Sequence, residues 1–340
     1  MRHNEVSPFD GRIASRISAI LEKAFEYLRA DLDRVEAAIA TQLRFSKPLM
    51  GEVGRYLADS KGKRLRPMLA LLAARMFGVR EFADSHTRVA GALEMVHLAT
   101  LLHDDVIDKA TTRRGKPSVN AKWGDDVAIL MADHLFSAAF PLILDEAGRP
   151  AVRALTEATC LMCEGEMFQI EKRDQLLTVE DYLFIIRCKT ARLFGACAEI
   201  GAFLAGATDG PASAMREFGL NFGMAFQITD DLLDYTARGA KWGKQVGTDI
   251  SNGKQTLPFI HAVSVATPGD RAFLLSSLNN GSGNLPKILD RIAHYGAIGH
   301  SHAMARRYTE QALASLNGLP GDEARAHLER LATYIANREY

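Results

Sequence analysis

Two aspartate clusters constrain this chain more than any other feature of its sequence. The sequence HDDVID at residues 103–108 closes one apolar helical segment, and DDLLD at residues 230–234 closes another. In a helix, residues four apart share a face, so the first and last aspartates of each cluster project together. Acids at a helix C-terminus oppose the helix dipole, which makes a purely structural role a poor explanation.

Carboxylates gathered in an apolar bundle repel one another and lose hydration, so a positive charge must compensate them. Magnesium is the cation that this pattern favours, because it takes oxygen ligands and shares them with substrate phosphates. The candidate metal ligands are Asp104, Asp105, Asp108, Asp230, Asp231 and Asp234.

Helical periodicity predicts an all-α fold with one large domain over residues 1–340. No alternating strand pattern of useful length is present, and no linker divides the chain. Predicted turns lie at Gly148 to Pro150, at Gly210-Pro211 and at Gly281 to Gly283. The predicted helices cover residues 13–43, 84–108, 125–144, 151–172, 179–207 and 212–235, with shorter amphipathic helices after residue 284.

Charge, hydropathy and cysteine content argue against a nucleic-acid-binding, secreted or membrane-spanning protein. The 41 basic and 41 acidic residues balance, which is unlike a nucleic-acid-binding domain. Residues 1–15 lack the apolar core of a signal peptide. The apolar stretch at 127–144 is interrupted by polar residues and a proline, which favours a buried helix over a transmembrane segment. Cys160 and Cys163 form a CxxC without a second pair, so we expect buried, reduced thiols in a cytoplasmic protein.

Basic residues lie both before and after the acidic clusters along the chain. Guanidinium and ammonium groups suit phosphate oxygens. A diphosphate among the acids needs metal, whereas a second diphosphate needs only basic side chains, so the sequence predicts two kinds of diphosphate site. The basic candidates are Lys63, Arg66, His97, Arg113, Arg114, Lys189, Lys244 and Lys254.

Taken together, these blocks resemble the trans-isoprenyl diphosphate synthases, also called polyprenyl synthetases. KGKRLRP at 61–67 is similar to the family's GGKRxRP block, with Lys61 in place of the first glycine. The remaining matches, in the family's order, are LLHDDVID at 101–108, RRG at 113–115, KT at 189–190, FQITDDLLDY at 226–235 and GKQVGTDISNGKQTLP at 243–258.

The resemblance implies an all-α bundle of the isoprenoid synthase type, with a central active-site cavity and usually a homodimer. It implies magnesium at Asp104, Asp108 and Asp230, with Asp105, Asp231 and Asp234 in support. The allylic diphosphate would be held by Arg113, Lys189 and Lys244, and isopentenyl diphosphate by Lys63, Arg66, His97 and Arg114. Thr190 and Gln227 would lie near the reacting carbons, and Lys254 would close over the metal site.

The expected product length depends on the helix before Asp104. Aromatic residues four and five positions before it shorten the product in the family, but here those positions are Thr100 and Ala99, about one turn below the metals. A long-chain all-trans product is therefore expected, with geranylgeranyl and then farnesyl diphosphate as alternatives. Further chain-length candidates are Met95, Val96 and Phe136, the last forming a deeper floor with Phe140.

Two other functions compete with this prediction. A class I terpene cyclase shares the fold, but it would carry Ser or Thr at 234 and Glu at 238, where this chain has Asp234 and Arg238. A non-catalytic subunit of a heteromeric synthase would tolerate loss of the aspartates, yet all six are present.

Overall fold

The computed structural model describes residues 22–59, 62–236, 247–280 and 285–336. Apart from one hairpin of two-residue strands, the elements in these ranges are helices. A helical stretch at residues 22–27 precedes the first of them. In chain order they are α1 (Arg29–Gln42), α2 (Pro48–Ala58), α3 (Leu65–Met76), α4 (Asp84–Ile107), β1 (Thr112–Arg113), β2 (Lys116–Pro117), α5 (Val119–Trp123), α6 (Asp125–Glu171), α7 (Val179–Ile186), a π-helix (Arg187–Ala191), α8 (Arg192–Leu204), α9 (Asp209–Thr236), α10 (Thr248–Ser251), α11 (Leu257–Val265), α12 (Pro268–Asn280), α13 (Leu285–His294), α14 (Ala297–Ser315) and α15 (Glu323–Ala336).

The all-α prediction is confirmed, and one of the predicted turns is wrong. The break at Gly148 is a sharp kink inside α6, where that glycine has φ 78°. The turn predicted at Gly210-Pro211 is wrong, because both residues lie in the first turn of α9, where proline costs no helical hydrogen bond. The chain turns earlier, at Gly206, whose φ is +75°. The turn at residues 281–283 falls outside the described residues.

The two clusters are carried by helices at the centre of the bundle. Helix α4 packs against α6 and α3, and α9 packs against α8 and α14. Both helices bury residues on nearly every side, as expected for central helices. Each helix carries its aspartates at its C-terminal end, after a stretch of buried apolar residues.

One face of α6 is left uncovered by the rest of the described chain. Within the described residues, α6 alone is long and apolar enough to cross a membrane, a test that core helices of soluble proteins also pass. Cys160 and Cys163 are exposed on this helix, so the prediction that they are buried is wrong. Together with Met167 and Ile170 they form an exposed stripe at helical spacing, which we call the α6 stripe.

Candidate active site

The first aspartate cluster combines burial with like charge. Asp104 is half-buried in the last turn of α4, and Asp108 is exposed at its C-cap. Burial is the main cause that raises the pKa of Asp104 to about 6; the carboxylates of Glu166 and Asp108 act in the same direction, and Lys189 opposes them. Such a group is poorly stabilised as an anion by its surroundings, and a bound cation would supply the missing charge.

Asp105 faces the other way and anchors the following hairpin. It is 2% exposed, and its Oδ1 accepts a 2.7 Å hydrogen bond from Nε of Arg113. The hairpin turn consists of Arg114 and Gly115, both with positive φ, which is the conformation that a two-residue hairpin requires. Tyr56 of α2 ties the hairpin down by donating to the carbonyl of Pro117 at 2.7 Å. The metal role predicted for Asp105 is therefore one of support.

In the second cluster too, one aspartate is exposed and its neighbour is buried and hydrogen-bonded. Asp230 is exposed, whereas Asp231 is buried, with both carboxylate oxygens accepting hydrogen bonds. Tyr182 donates to one oxygen at 2.7 Å, and Gln227 donates to the other at 2.8 Å. Burial raises the pKa of Asp231 to about 6, and Lys254 opposes that shift. Asp231 thus fixes its neighbours, as Asp105 does in the first cluster.

Asp234 organises the segment that follows the second cluster. Its Oδ2 accepts from the amide of Asp249 at 2.9 Å, and its carbonyl accepts from Gly247. Lys254 lies near this turn, with Nζ 3.5 Å from Asp249 and 3.8 Å from Asp231. The predicted diphosphate ligand Lys244 lies outside the described residues.

A π-helix stands between the two clusters and carries Lys189 and Thr190. Close approach on both sides requires glycine. A Cβ on Gly165 of α6 would lie 2.4 Å from Cβ of Cys188, and one on Gly223 of α9 would lie 2.6 Å from Cα of Ala191. The extra residue per turn of a π-helix shifts the direction of the side chains, a device that recurs at functional sites.

The two π-helix side chains reach opposite walls of the site. Lys189 forms an ion pair with Glu166 and donates to Oε1 of Gln169 at 3.1 Å. Thr190 donates to Oε1 of Gln227 at 2.9 Å, and Gln227 in turn donates to Asp231. These contacts connect the first cluster, through Lys189, with the second cluster, through Gln227.

A separate basic site consists of His97 on α4, Arg66 on α3 and Arg114 in the hairpin turn. Burial, and then the charges of Arg66 and Arg114, hold the pKa of His97 well below its ordinary value, so this imidazole is neutral. The buried Nε of Arg66 has no hydrogen-bond partner among the described residues. Gly62 permits Arg114 to approach, since a Cβ there would lie 2.9 Å from its guanidinium nitrogens. The cluster, with exposed Lys63 at its edge, is suited to an anion.

Arg64, between two of these basic residues, has a structural role. It adopts a left-handed conformation, with φ 49°, directly before α3. Its guanidinium donates to Glu94 of α4 at 2.8 Å and to Glu36 of α1 at 2.5 and 3.0 Å. Arg64 therefore fixes the junction between the loop that carries Lys63 and the first turn of α3, which carries Arg66.

The donors fit a hard divalent cation that is completed by substrate. Carboxylate oxygens are the ligands that magnesium prefers. Among the described residues, no group of three or more His, Cys, Asp or Glu side chains is arranged to hold an ion alone. An ion here would need phosphate oxygens as further ligands, which agrees with the poorly compensated charge of Asp104.

Four of the chain-length candidates lie on α4, and the fifth, Phe136, lies on α6. Met95, Val96 and Ala99 are buried, and Thr100 is half-buried with its hydroxyl donating to the carbonyl of His97. The ring of Phe136 stacks on His103, 6.0 Å between centroids.

Helices α4 and α6 run antiparallel, because Arg88 pairs with Glu146 whereas His103 lies 3.4 Å from Asp133. In the register set by these pairs, Phe136 lies at the level of Ala99 and Thr100, and Phe140 lies one turn deeper along α6. The predicted chain-length role of Phe136 stays a prediction.

Four functional candidates were not identified from the sequence. Glu166 and Gln169 are polar residues three apart on an apolar helix, a weak signal until Lys189 is placed beside them. Tyr182 and Asp249 act on aspartates of the second cluster from distant segments.

An all-helical bundle with two aspartate clusters beside one π-helix and a neighbouring arginine–histidine site defines the isoprenoid synthase class. The polyprenyl synthetase family model matches residues 47–293. This chain belongs to the polyprenyl synthetase family.

Individual relatives agree with the family match. The chain is 36% identical to the octaprenyl diphosphate synthase of Escherichia coli, over 94% of this chain and 99% of the relative. It is 38% identical to an all-trans-nonaprenyl-diphosphate synthase of Rhodobacter capsulatus, over 85% and 89%. A crystal structure of a polyprenyl synthase from Caulobacter crescentus, complexed with calcium and isoprenyl diphosphate, superposes with a TM-score of 0.86 at 33% identity, covering 94% of this chain and 98% of that one.

Proposed function

We propose that this enzyme joins isopentenyl diphosphate to an allylic diphosphate and repeats the step to give a long-chain all-trans polyprenyl diphosphate. The observation that carries the proposal is the pairing of two chemically different diphosphate sites. One is acidic and contains Lys189, and the other is built from Arg66, Arg114 and neutral His97. An enzyme that binds only one diphosphate has no use for both.

The acidic site would bind the allylic diphosphate with magnesium. Asp104, Asp108 and Asp230 would hold the ions, which would supply positive charge to the departing diphosphate. Lys189 and Arg113 add fixed positive charge at the same place. Because Lys189 is held by Glu166, its ammonium is positioned before substrate arrives.

The allylic cation that remains after the diphosphate leaves must meet the isopentenyl double bond before it meets water. Thr190 and Gln227 present hydroxyl and amide oxygens beside the acidic site, and Asp231 fixes the orientation of that amide. Arg66, Arg114 and His97 would hold isopentenyl diphosphate so that its double bond faces the cation. The new carbon–carbon bond leaves a cation that loses a proton, which we assign to the departed diphosphate.

The small side chains on α4 support a long product. Ala99 and Thr100 leave the turn below the first cluster without an aromatic ring, and the octaprenyl and nonaprenyl synthases named above are long-chain enzymes. We therefore favour a product longer than geranylgeranyl diphosphate, with Phe136 and Phe140 of α6 as candidates for a deeper floor.

The second cluster argues against a terpene cyclase. Asp234 accepts the amide of Asp249 and so shapes the segment that leads to Lys254. The basic site around His97 would also be left without a substrate. A non-catalytic subunit is disfavoured because all six aspartates retain partners or positions suited to catalysis.

We also propose that two copies associate through α6. This helix exposes Leu130 by 68% and Met167 by 71%, on a surface that no described part of the chain covers. A second copy would bury the α6 stripe, including Cys160 and Cys163. Light scattering should give twice the monomer mass, and Met167→Glu should yield monomers whose cysteines react faster with a maleimide. A monomeric wild-type protein would reject this proposal.

The cytoplasm is the compartment we assign. All four cysteines are unpaired. Thiols persist in the reducing cytoplasm, whereas an exposed pair in an oxidising compartment is readily oxidised. Fractionation of cells should recover the protein with cytoplasmic markers.

Product analysis tests the proposed activity. Purified protein incubated with isopentenyl and farnesyl diphosphates and magnesium should release linear products of more than four units, identified by mass spectrometry after dephosphorylation. EDTA should abolish them. A cyclic hydrocarbon, or no consumption of isopentenyl diphosphate, would contradict the proposal.

A further inference from the structure

One side chain connects two segments that border the site from distant parts of the sequence. Oε1 of Gln255 accepts the backbone N–H of Leu177 at 2.9 Å, and Nε2 donates to the backbone carbonyl of Gln175 at 2.8 Å. The side-chain amide therefore both accepts from and donates to backbone atoms that are about eighty residues away in the chain. We propose that Gln255 is a positioning residue that holds Lys254 over the second aspartate cluster.

The segment that Gln255 reaches is itself rigidly held. Thr178 and Asp181 form a reciprocal capping box at the start of α7. At the other end, the backbone N–H of Gln175 donates to the carbonyl of Lys172, the residue that follows α6, at 3.0 Å. The residues between α6 and α7 are therefore fixed at both ends, and they provide a firm support for the Gln255 amide.

Lys254, in contrast, has little support of its own. Its side chain is 51% exposed, and Nζ lies 3.5 and 3.8 Å from two carboxylates, distances typical of weak ion pairs. Its backbone N–H donates to Asp249 within the same turn. The contact from the neighbouring residue, Gln255, is what joins this turn to the opposite side of the site.

The bridge is not required for the fold. Helix α11 begins two residues later with fully buried Leu257, and the buried hydroxyls of Thr256 and Tyr235 lie 2.5 Å apart. These contacts anchor the segment after residue 255 to the core. Loss of the amide would free the Lys254 turn without unfolding α11.

This inference rests on the proposed function, in which Lys254 acts on the diphosphate. In Gln255→Ala two hydrogen bonds are lost, and kcat should fall about tenfold to thirtyfold. The KM for isopentenyl diphosphate should stay within about twofold, because Arg66 and His97 are carried by α3 and α4. The melting temperature should be unchanged. Gln175→Ala is the matched control, since the bridge uses only the backbone of residue 175, and its kcat should equal that of the wild type.

A double-mutant cycle separates positioning from a general structural effect. If Gln255 acts through Lys254, Gln255→Ala should add less than twofold to the loss in a Lys254→Ala background. Losses that multiply in full would overturn the proposal, as would an unchanged kcat in Gln255→Ala.

Hydrogen–deuterium exchange supplies a readout that does not depend on activity. Gln255→Ala should speed exchange of the amides of Leu177 and Lys254, and Gln175→Ala should not. Unchanged exchange would reject the bridge itself. A wild-type protein that fails to elongate, with faster exchange in Gln255→Ala, would reject the proposed function and keep the bridge.

Discussion

Asp104→Asn should make the metal-free protein more stable while it abolishes turnover. The pKa of Asp104 is raised from 3.8 to about 6, chiefly by burial. A rise of about 2 units corresponds to roughly 3 kcal/mol of unfavourable free energy at neutral pH, at 1.4 kcal/mol per unit. Because the side chain is partly solvated, we expect about 1–2 kcal/mol of the gain to be realised.

The pH dependence follows from the sign of the shift. A carboxyl whose pKa is raised by folding destabilises the protein fully above the folded value, near 6, and not at all below the unfolded value, near 3.8. The stability advantage of Asp104→Asn should therefore be largest at pH 7 to 8 and should vanish as the pH falls toward 4.

Urea unfolding in EDTA, followed by circular dichroism at several pH values, measures this difference. Asp108→Asn is the control, since Asp108 is exposed and its loss should change stability by less than about 0.5 kcal/mol. Adding magnesium and an unreactive allylic diphosphate should reverse the order, because only the wild type binds them fully. Equal or lower stability of Asp104→Asn at pH 7.5 would refute the reasoning.

Three further predictions concern activity. Tyr182→Phe removes a donor to Asp231 and should lower kcat about tenfold, with little change in KM for isopentenyl diphosphate; an unchanged kcat contradicts this. Ala99→Phe should shorten the products seen by mass spectrometry without loss of helical circular dichroism, and products of wild-type length would show that residue 99 does not border the tail. At limiting magnesium, turnover should fall below pH 6 as Asp104 and Asp231 gain protons, and excess magnesium should move that decline to lower pH; a decline that ignores magnesium argues against proton–metal competition.

Features set by local spacing were predictable from the sequence. The aspartates four apart on a helix and the break at Gly148 both follow from positions close together in the chain. The single-domain organisation over residues 1–340 remains a prediction. The division of roles within each cluster was harder to predict from the sequence. Asp105 accepts a hydrogen bond from Arg113, and Asp231 accepts one from Tyr182, and both bonds form only when the chain is folded.

Features set by packing between distant helices were missed. The π-helix leaves no mark on the apolar periodicity of residues 179–207, since it depends on Gly165 and Gly223 permitting close approach. The exposure of Cys160 and Cys163 depends on which helix face the chain leaves uncovered, which apolar spacing alone does not reveal.

A crystal of the protein grown with manganese and an unreactive allylic diphosphate analogue tests the central assignment most directly. Anomalous scattering should place ions between the analogue's diphosphate and the carboxylates of Asp104, Asp108 and Asp230. A diphosphate bound at Arg66 and His97 alone, with no ion beside these aspartates, would contradict the assignment.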